Sequence, residues 1–427
     1  VVAVDPRIAW FVSARYGLFV HYGLYSLLGR GEWVRNRENL VREDYAALAQ
    51  RFTARQFDAG RLCDLAVAGG MRYLVFTTMH HDGFRLYHSE LSDFCSTKTA
   101  ARRDLVAEVL AAAHARGLRV GLYHSLNNWH DQPDAVAALR SGRDRERFLE
   151  ATLARVEELA RRFPSADVLW YDGWWPFDAT GWRAAEMNAR VRAVAPRIIF
   201  NGRNGLAGDF ATPEGHLSAP RPWRPWEACL TLNDSWGWHS GDRQWKSPRA
   251  VAELLARCAA GRGNLLLNVG PKGDGSIPVQ AKRVLRTVGA WIQRAGPALD
   301  GTESFTWDLR ERGDHRGDWS HHGLFTVRDH HLYWHIARWV GRTITLSGLE
   351  VKVTAAKLLG SNRAIAWRQC GSTVEFRGLP HRSPDPVCPV LRITCNRPPK
   401  MYLTAGMRVP AGPHPHYDPG PSDLRQP

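Results

Sequence analysis

The residues of this chain best suited to chemistry lie in VLWYDGWW, at 168–175, where Asp172 ends a hydrophobic run flanked by Trp170, Tyr171, Trp174 and Trp175. Burying a carboxylate costs several kcal/mol unless it is paired or used. Asp172 fits a turn cap as well, but the aromatic cage favours catalysis. A second carboxyl is available at Glu214 in DFATPEGH or at Glu227 in PWEACL, with Asp82, Asp209 and Asp234 as weaker candidates. Glycoside hydrolysis needs such a pair: one carboxylate attacks or activates water, and one carboxylic acid protonates the leaving oxygen. Either glutamate also fits an exposed loop. HHDGF places His80 and His81 after another hydrophobic run. Neighbouring strand side chains face opposite ways, so hydrogen bonding to substrate hydroxyls is a better reading than joint chelation of a metal. His21 and His124 end further runs and fit either that role or a satisfied core histidine.

These residues need a scaffold, and the hydrophobic runs supply one. The segments 15–23, 71–80, 118–125, 166–173, 197–201 and 264–271 are nearly continuous in apolar residues, as strands buried on both faces must be. Amphipathic segments at 103–116, 146–163, 248–260 and 278–294 have helical spacing, and Gly117 stops the first of them. Alternation of this kind predicts a (β/α)8-like barrel, although only six strands are clear. A doubly wound sheet is the competitor, but no GxGxxG follows the first strand. Polar residues at the end of strand after strand converge in a barrel and would be strung out along an open sheet. After Gly301, short alternating runs broken by Gly, Asn, Asp and Pro predict a β-sandwich. The expected division is a barrel over 1–300, a sandwich over 301–397 and a Pro-rich tail over 398–427.

Composition narrows the function classes. The 427 residues are 44% hydrophobic and 23% charged, which excludes a mostly disordered chain. No apolar run reaches the roughly 18 to 20 residues that cross a bilayer, so no membrane partner is expected. The net charge of +15 comes mostly from single arginines on helical patterns, so a nucleic-acid partner is not expected either. Seven cysteines form no CxxC pair and indicate neither a zinc site nor a disulfide framework. With no charged region followed by an apolar stretch near its start, the chain reads as soluble, cytoplasmic or secreted after processing. Eighteen tryptophans, many beside Gly, Asp or His, are many for a plain core, and flat apolar surfaces with polar rims suit sugar rings.

The motifs RYGLFVHYGLYS, GEW, YLVFTTMHHDGFRLYHS, GLRVGLYHS, LWYDG, WEACLTLNDSWGW and GNLLLNVGPKGDGSIP, in this order over residues 10–300, resemble the retaining α-L-fucosidases of glycoside hydrolase family 29. The resemblance implies a (β/α)8-like barrel, no cofactor, no metal, and exo-hydrolysis of terminal α-L-fucose from a fucosylated oligosaccharide or glycoconjugate. Asp172 takes the place of the nucleophile. Fucose-binding positions fall on His21, Glu32, Trp33, His80, His81, Tyr123, Trp170, Arg203 and Trp236. Glu214 is the chosen acid/base and Glu227 its alternative. Where the family commonly reads NDRWG this chain reads NGRNG, so a different wall is expected beside Arg203. A non-hydrolytic fucose-binding protein on the same scaffold is the alternative reading, and it would keep the sugar contacts while losing a catalytic carboxyl.

Overall fold

The computed structural model describes residues 5–220, 222–304, 323–361 and 363–400. Seven strands, β1 (Tyr16–Val20), β2 (Tyr73–Met79), β3 (Arg119–Ser125), β4 (Val168–Asp172), β5 (Ile199–Phe200), β6 (Glu227–Thr231) and β7 (Asn264–Val269), form one parallel sheet in the order β5-β4-β3-β2-β1-β7-β6. Every residue of β1, β2 and β7 is buried, because side chains fill the sheet on one face and helices cover it on the other.

The sheet is curled, and one short segment joins its edges. Residues 209–215 bridge β5 through Asn201–Phe210 and run beside β6 through Ala211–Trp226 and Glu214–Cys229. This segment acts as an eighth stave. Its backbone follows β6 from Ala211 N to Pro225 O, Glu227 N to Ala211 O, Cys229 N to Pro213 O and Gly215 N to Cys229 O, and Pro213, which has no N–H, interrupts the series. Gly208, which leads into it, has φ +67°, and a β-carbon there would lie 2.5 Å from the Asn201 backbone. Only glycine fits a left-handed conformation at that distance.

Six strands were expected from the hydrophobic runs, and β6 is the addition. Glu227 does not lie in an exposed loop but opens β6 and is completely buried. The preceding Trp226 lies on Gly263, whose absent β-carbon would come within 2.1 Å of the indole.

Three of the helices that cover the sheet illustrate side-chain caps. Asp104 accepts from Ala107 N ahead of Leu105–His114, Ser141 from Asp144 N ahead of Gly142–Arg162, and Ser247 from Ala250 N ahead of Pro248–Ala260. The last helix of the barrel, Val279–Ala295, buries Val284, Leu285, Val288 and Trp291 along one side.

The chain separates into compact units on either side of Gly301. In the second, β8 (Gly323–Arg328), β9 (His331–Ile336), β10 (Thr343–Leu346), β11 (Val353–Leu358), β12 (Ala366–Cys370), β13 (Thr373–Arg377) and β14 (Val390–Cys395) make two antiparallel sheets, β11-β14-β9-β8 and β10-β13-β12. Leu332, Trp334, Ile344, Phe376 and Leu391 are among the residues of its core, as in a β-sandwich. Residues 401–427, most of the expected tail, lie outside the described residues.

Candidate active site

A cavity of about 250 Å³ opens where the parallel strands end. It is lined by His21, Glu32, Trp33, His80, His81, Tyr123, Trp170, Asp172, Arg203, Glu214 and Trp236, and by three residues the sequence did not single out for the site: Phe19, Trp175 and Cys229. Phe19 was legible, because it stands two residues before His21 on β1 and strand side chains alternate faces. Cys229 follows Glu227 by the same period, but β6 was not recognised as a strand. Trp175 stood in the aromatic cage around Asp172, where nothing distinguished it from its neighbour Trp174.

Asp172 closes β4. Its Oδ2 accepts from the Tyr123 hydroxyl at 2.7 Å, its Oδ1 from Arg203 Nη1 at 3.1 Å, and His81 Nε2 lies 3.8 Å away. Burial alone would raise its pKa, but Arg203, His81 and Tyr123 outweigh burial and hold the carboxyl below its ordinary value. The second arm of Arg203 reaches Glu214 Oε2 at 2.7 Å, so one guanidinium joins both carboxyls. Thr212 steadies the fork, its hydroxyl accepting from Arg203 Nε at 3.1 Å and its carbonyl from Nη2 at 3.3 Å. Burial opposes the charge on Arg203, yet Cys229, Asp172 and Glu214 keep it above its ordinary value. The Glu214 side chain is 44% exposed and that of Asp172 only 13%, so the first stands at the rim and the second at the floor.

The histidines make a polar wall. His21 Nδ1 lies 2.7 Å from Asn268 Oδ1, and His81 Nδ1 lies 2.6 Å from Ser125 Oγ. Burial drives both imidazoles down to about 4, so they are neutral near pH 7. His80 is also pushed well down by burial, and its buried Nδ1 has no partner in the protein. His80 and His81 both reach the cavity because β2 ends at Met79, and strand alternation no longer separates them. His124, still within β3, faces outward and meets Arg155 Nε at 3.1 Å and Thr78 Oγ1 at 2.8 Å, so it is a core histidine.

Aromatic rings pack among these histidines, with Tyr123 stacked on His80 at 5.6 Å. Phe19 packs on Trp170 with ring centroids 5.1 Å apart, Tyr123 stacks on Trp170 at 5.6 Å, and Trp236 meets His21 at 5.2 Å. Trp33 stacks with Trp175 at 5.9 Å over the entrance. Glu32 Oε2 accepts from Gly237 N at 2.8 Å, which ties the GEW segment to the loop carrying Trp236. Beside Arg203, the departure from the family pattern turns away from the cavity: Asn204 is buried and donates to Asn188 Oδ1 at 3.0 Å.

Of the remaining carboxyl candidates, Glu227 does not line the cavity. It lies in the barrel core, where Tyr73 Oη and Trp170 Nε1 donate to it at 2.5 and 2.7 Å. Asp82 accepts from the Tyr45 hydroxyl at 2.6 Å, and Asp209 pairs with Arg192 at 3.1 Å. Asp234 is exposed, and its backbone N–H donates to Asp242 at 3.0 Å. Among the described residues, no three His, Cys, Asp or Glu side chains gather as a metal site would require.

An open pocket at the mouth of a (β/α)8-like barrel, with two carboxyls sharing one cation among histidines and aromatic rings, fits a glycoside hydrolase. Residues 2–297 match the family pattern described as Alpha-L-fucosidase, and the chain belongs to that family. The plasma alpha-L-fucosidase of Homo sapiens is 30% identical over 337 residues, covering 70% of each chain, and the tissue alpha-L-fucosidase of Homo sapiens is 27% identical over 416 residues, covering 90% of this chain and 87% of that one. Among solved structures, alpha-L-fucosidase isoenzyme 1 from Paenibacillus thiaminolyticus superimposes with a TM-score of 0.83 at 33% identity, covering 92% of this chain and 99% of that one. The chain is thus an α-L-fucosidase, a hydrolase of fucosylated glycans.

Proposed function

We propose that the chain removes terminal α-L-fucose with retention, using Asp172 as nucleophile and Glu214 as acid/base. Asp172 attacks C1 while Glu214 gives its proton to the glycosidic oxygen; the C1–O bond breaks and the aglycone leaves. Glu214 then takes a proton from water, which attacks C1 and releases fucose from Asp172. The observation that carries this reading is the Arg203 fork, which joins the two carboxyls. Depression of the Asp172 pKa keeps the attacking group ionised, while the exposed position of Glu214 gives it access to the leaving group and to water. Glu227, enclosed by Tyr73 and Trp170, has neither.

The pocket also suits one terminal sugar. A volume of about 250 Å³ is small for an extended glycan, which favours exo action. His21, His80, His81 and Glu32 offer hydrogen bonds to the ring hydroxyls, while Phe19, Tyr123, Trp170 and Trp236 offer apolar surface to the methyl group. A non-hydrolytic binding protein would need none of the arrangement around Asp172.

Paired variants test the roles. Asp172→Ala should nearly abolish turnover of every fucoside. Glu214→Ala should cost less on an activated aryl fucoside, where only the water-activating step suffers, and on the order of 10² to 10⁴ on a natural oligosaccharide, whose leaving group needs the proton. Azide should give the β-fucosyl azide from the Asp172 variant and the α-azide from the Glu214 variant. Normal cleavage of natural substrates by Glu214→Ala would remove Glu214 from the mechanism.

A further inference from the structure

Below the cavity, Glu227 is a carboxyl group in an otherwise apolar and aromatic core, fully buried at the first residue of β6. A buried carboxyl of this kind is costly where a hydrophobic side chain of similar size would fill the space, so it calls for an account. Its two oxygens are divided between two donors. Tyr73, at the start of β2, reaches Oε2 at 2.5 Å, and the Trp170 indole N–H, from β4, reaches Oε1 at 2.7 Å. Glu227 therefore ties three strands together and fixes the tilt of one indole. That indole lines the cavity, and the Arg203 guanidinium lies over its ring, 4.6 Å from the centroid. Arg203 in turn holds Asp172 and Glu214.

We infer that Glu227 is a positioning residue, which sets the Trp170 indole so that Arg203 and the two catalytic carboxyls meet the anomeric carbon in register. The inference rests on the assignment of Asp172 and Glu214 proposed above. Glu227 touches no part of the cavity and moves no proton in the reaction. Burial pushes its pKa up to about 7, and the hydrogen bonds from Tyr73 and Trp170, acting in the opposite sense, limit the rise.

Two variants of the full chain test this, Glu227→Gln, which leaves one acceptor for two donors, and Tyr73→Phe, which removes one hydroxyl from a ring of the same shape. A misplacement transmitted to the carboxyls lowers kcat, while the histidines that hold the sugar hydroxyls are untouched. Glu227→Gln should therefore lower kcat by about ten- to a hundredfold, with a much smaller rise in the Ki of free fucose, because of the sugar contacts only the Trp170 face is disturbed. Tyr73→Phe should show a smaller loss of the same kind. Across a series of aryl fucosides the loss should not depend on leaving-group pKa, and azide should not accelerate either variant. Native kcat in both folded variants would overturn the positioning role and leave Asp172 and Glu214 in place. A loss that grows with leaving-group pKa, with azide trapping of the α-azide by Glu227→Gln, would make Glu227 the acid/base and overturn both assignments. Should Glu227→Gln fail to fold, Tyr73→Phe decides the matter by the same two readouts.

Discussion

At the residue scale the site turns on Arg203. Its planar fork donates to Asp172, to Glu214 and to Thr212 while its face lies on Trp170, a set of contacts that a lysine, with one flexible ammonium, cannot reproduce. Arg203→Lys keeps the charge and loses the geometry. We expect a fall in kcat/KM on the order of 10² or more, with a melting temperature within a few degrees of the native one. Steady-state kinetics beside a thermal melt check this, and near-native kinetics would show that charge alone suffices. The nine sugar-contact positions that the sequence motifs single out all line one cavity. The role of Glu227 was not legible, because its meaning depends on Tyr73 and Trp170, which lie 154 and 57 residues away in sequence.

At the element scale, strands buried on both faces were legible because nearly every residue along them is apolar, and helices because their caps and spacing are local. The missed elements lack those signals. The five residues of β6 open on a glutamate, and 209–215 reads DFATPEG, the composition of a turn. That segment becomes a stave only because β5 and β6 hold it from either side, which no local pattern records. Gly208 is its hinge into the barrel. Gly208→Ala places a β-carbon against the Asn201 backbone at a positive φ, and the left-handed conformation alone costs roughly 1–2 kcal/mol. Denaturant unfolding should show a loss at least that large. Kinetics should show a greater loss on natural fucosides than on activated ones, because the displaced stave carries Glu214. Equal losses on both would mean that the stave does not govern the acid/base.

At the scale of the whole molecule, buried titratable groups set the pH dependence of stability. His21 and His81 are depressed to about 4, and His80 and His124 lie well below their ordinary value, in each case through burial. The unfolded chain takes up these protons below about pH 6.5 and the folded one does not, so stability falls as pH drops from there towards 4. Glu227 and Asp82 act in the opposite sense. Burial raises them to about 7 and about 6, so their contribution is fully present below the ordinary carboxylate range and is lost as pH rises through 6 and 7. Four depressed histidines outweigh two raised carboxyls. The melting temperature should climb from pH 4 to about 6.5, and a decline over that range would contradict this account. His21, His80 and His81 bind sugar rather than metal in our reading, so exhaustive chelation should leave turnover of an aryl fucoside unchanged. Loss of activity on chelation and its return with zinc would overturn that assignment.

The eighth stave has a further consequence. Asp172 ends a strand that is laddered to neighbours on both sides, whereas Glu214 rides on a short segment that bridges β5 at one residue pair and whose bonding to β6 is interrupted beside it at Pro213. The two halves of the proposed catalytic pair therefore sit in parts of the molecule with different resistance to opening. In amide hydrogen exchange, residues 209–215 should lose protection at lower free energy than β4. On heating, the enzyme should lose its action on substrates that need a proton donor before it loses the ability to form a glycosyl-enzyme from an activated fucoside.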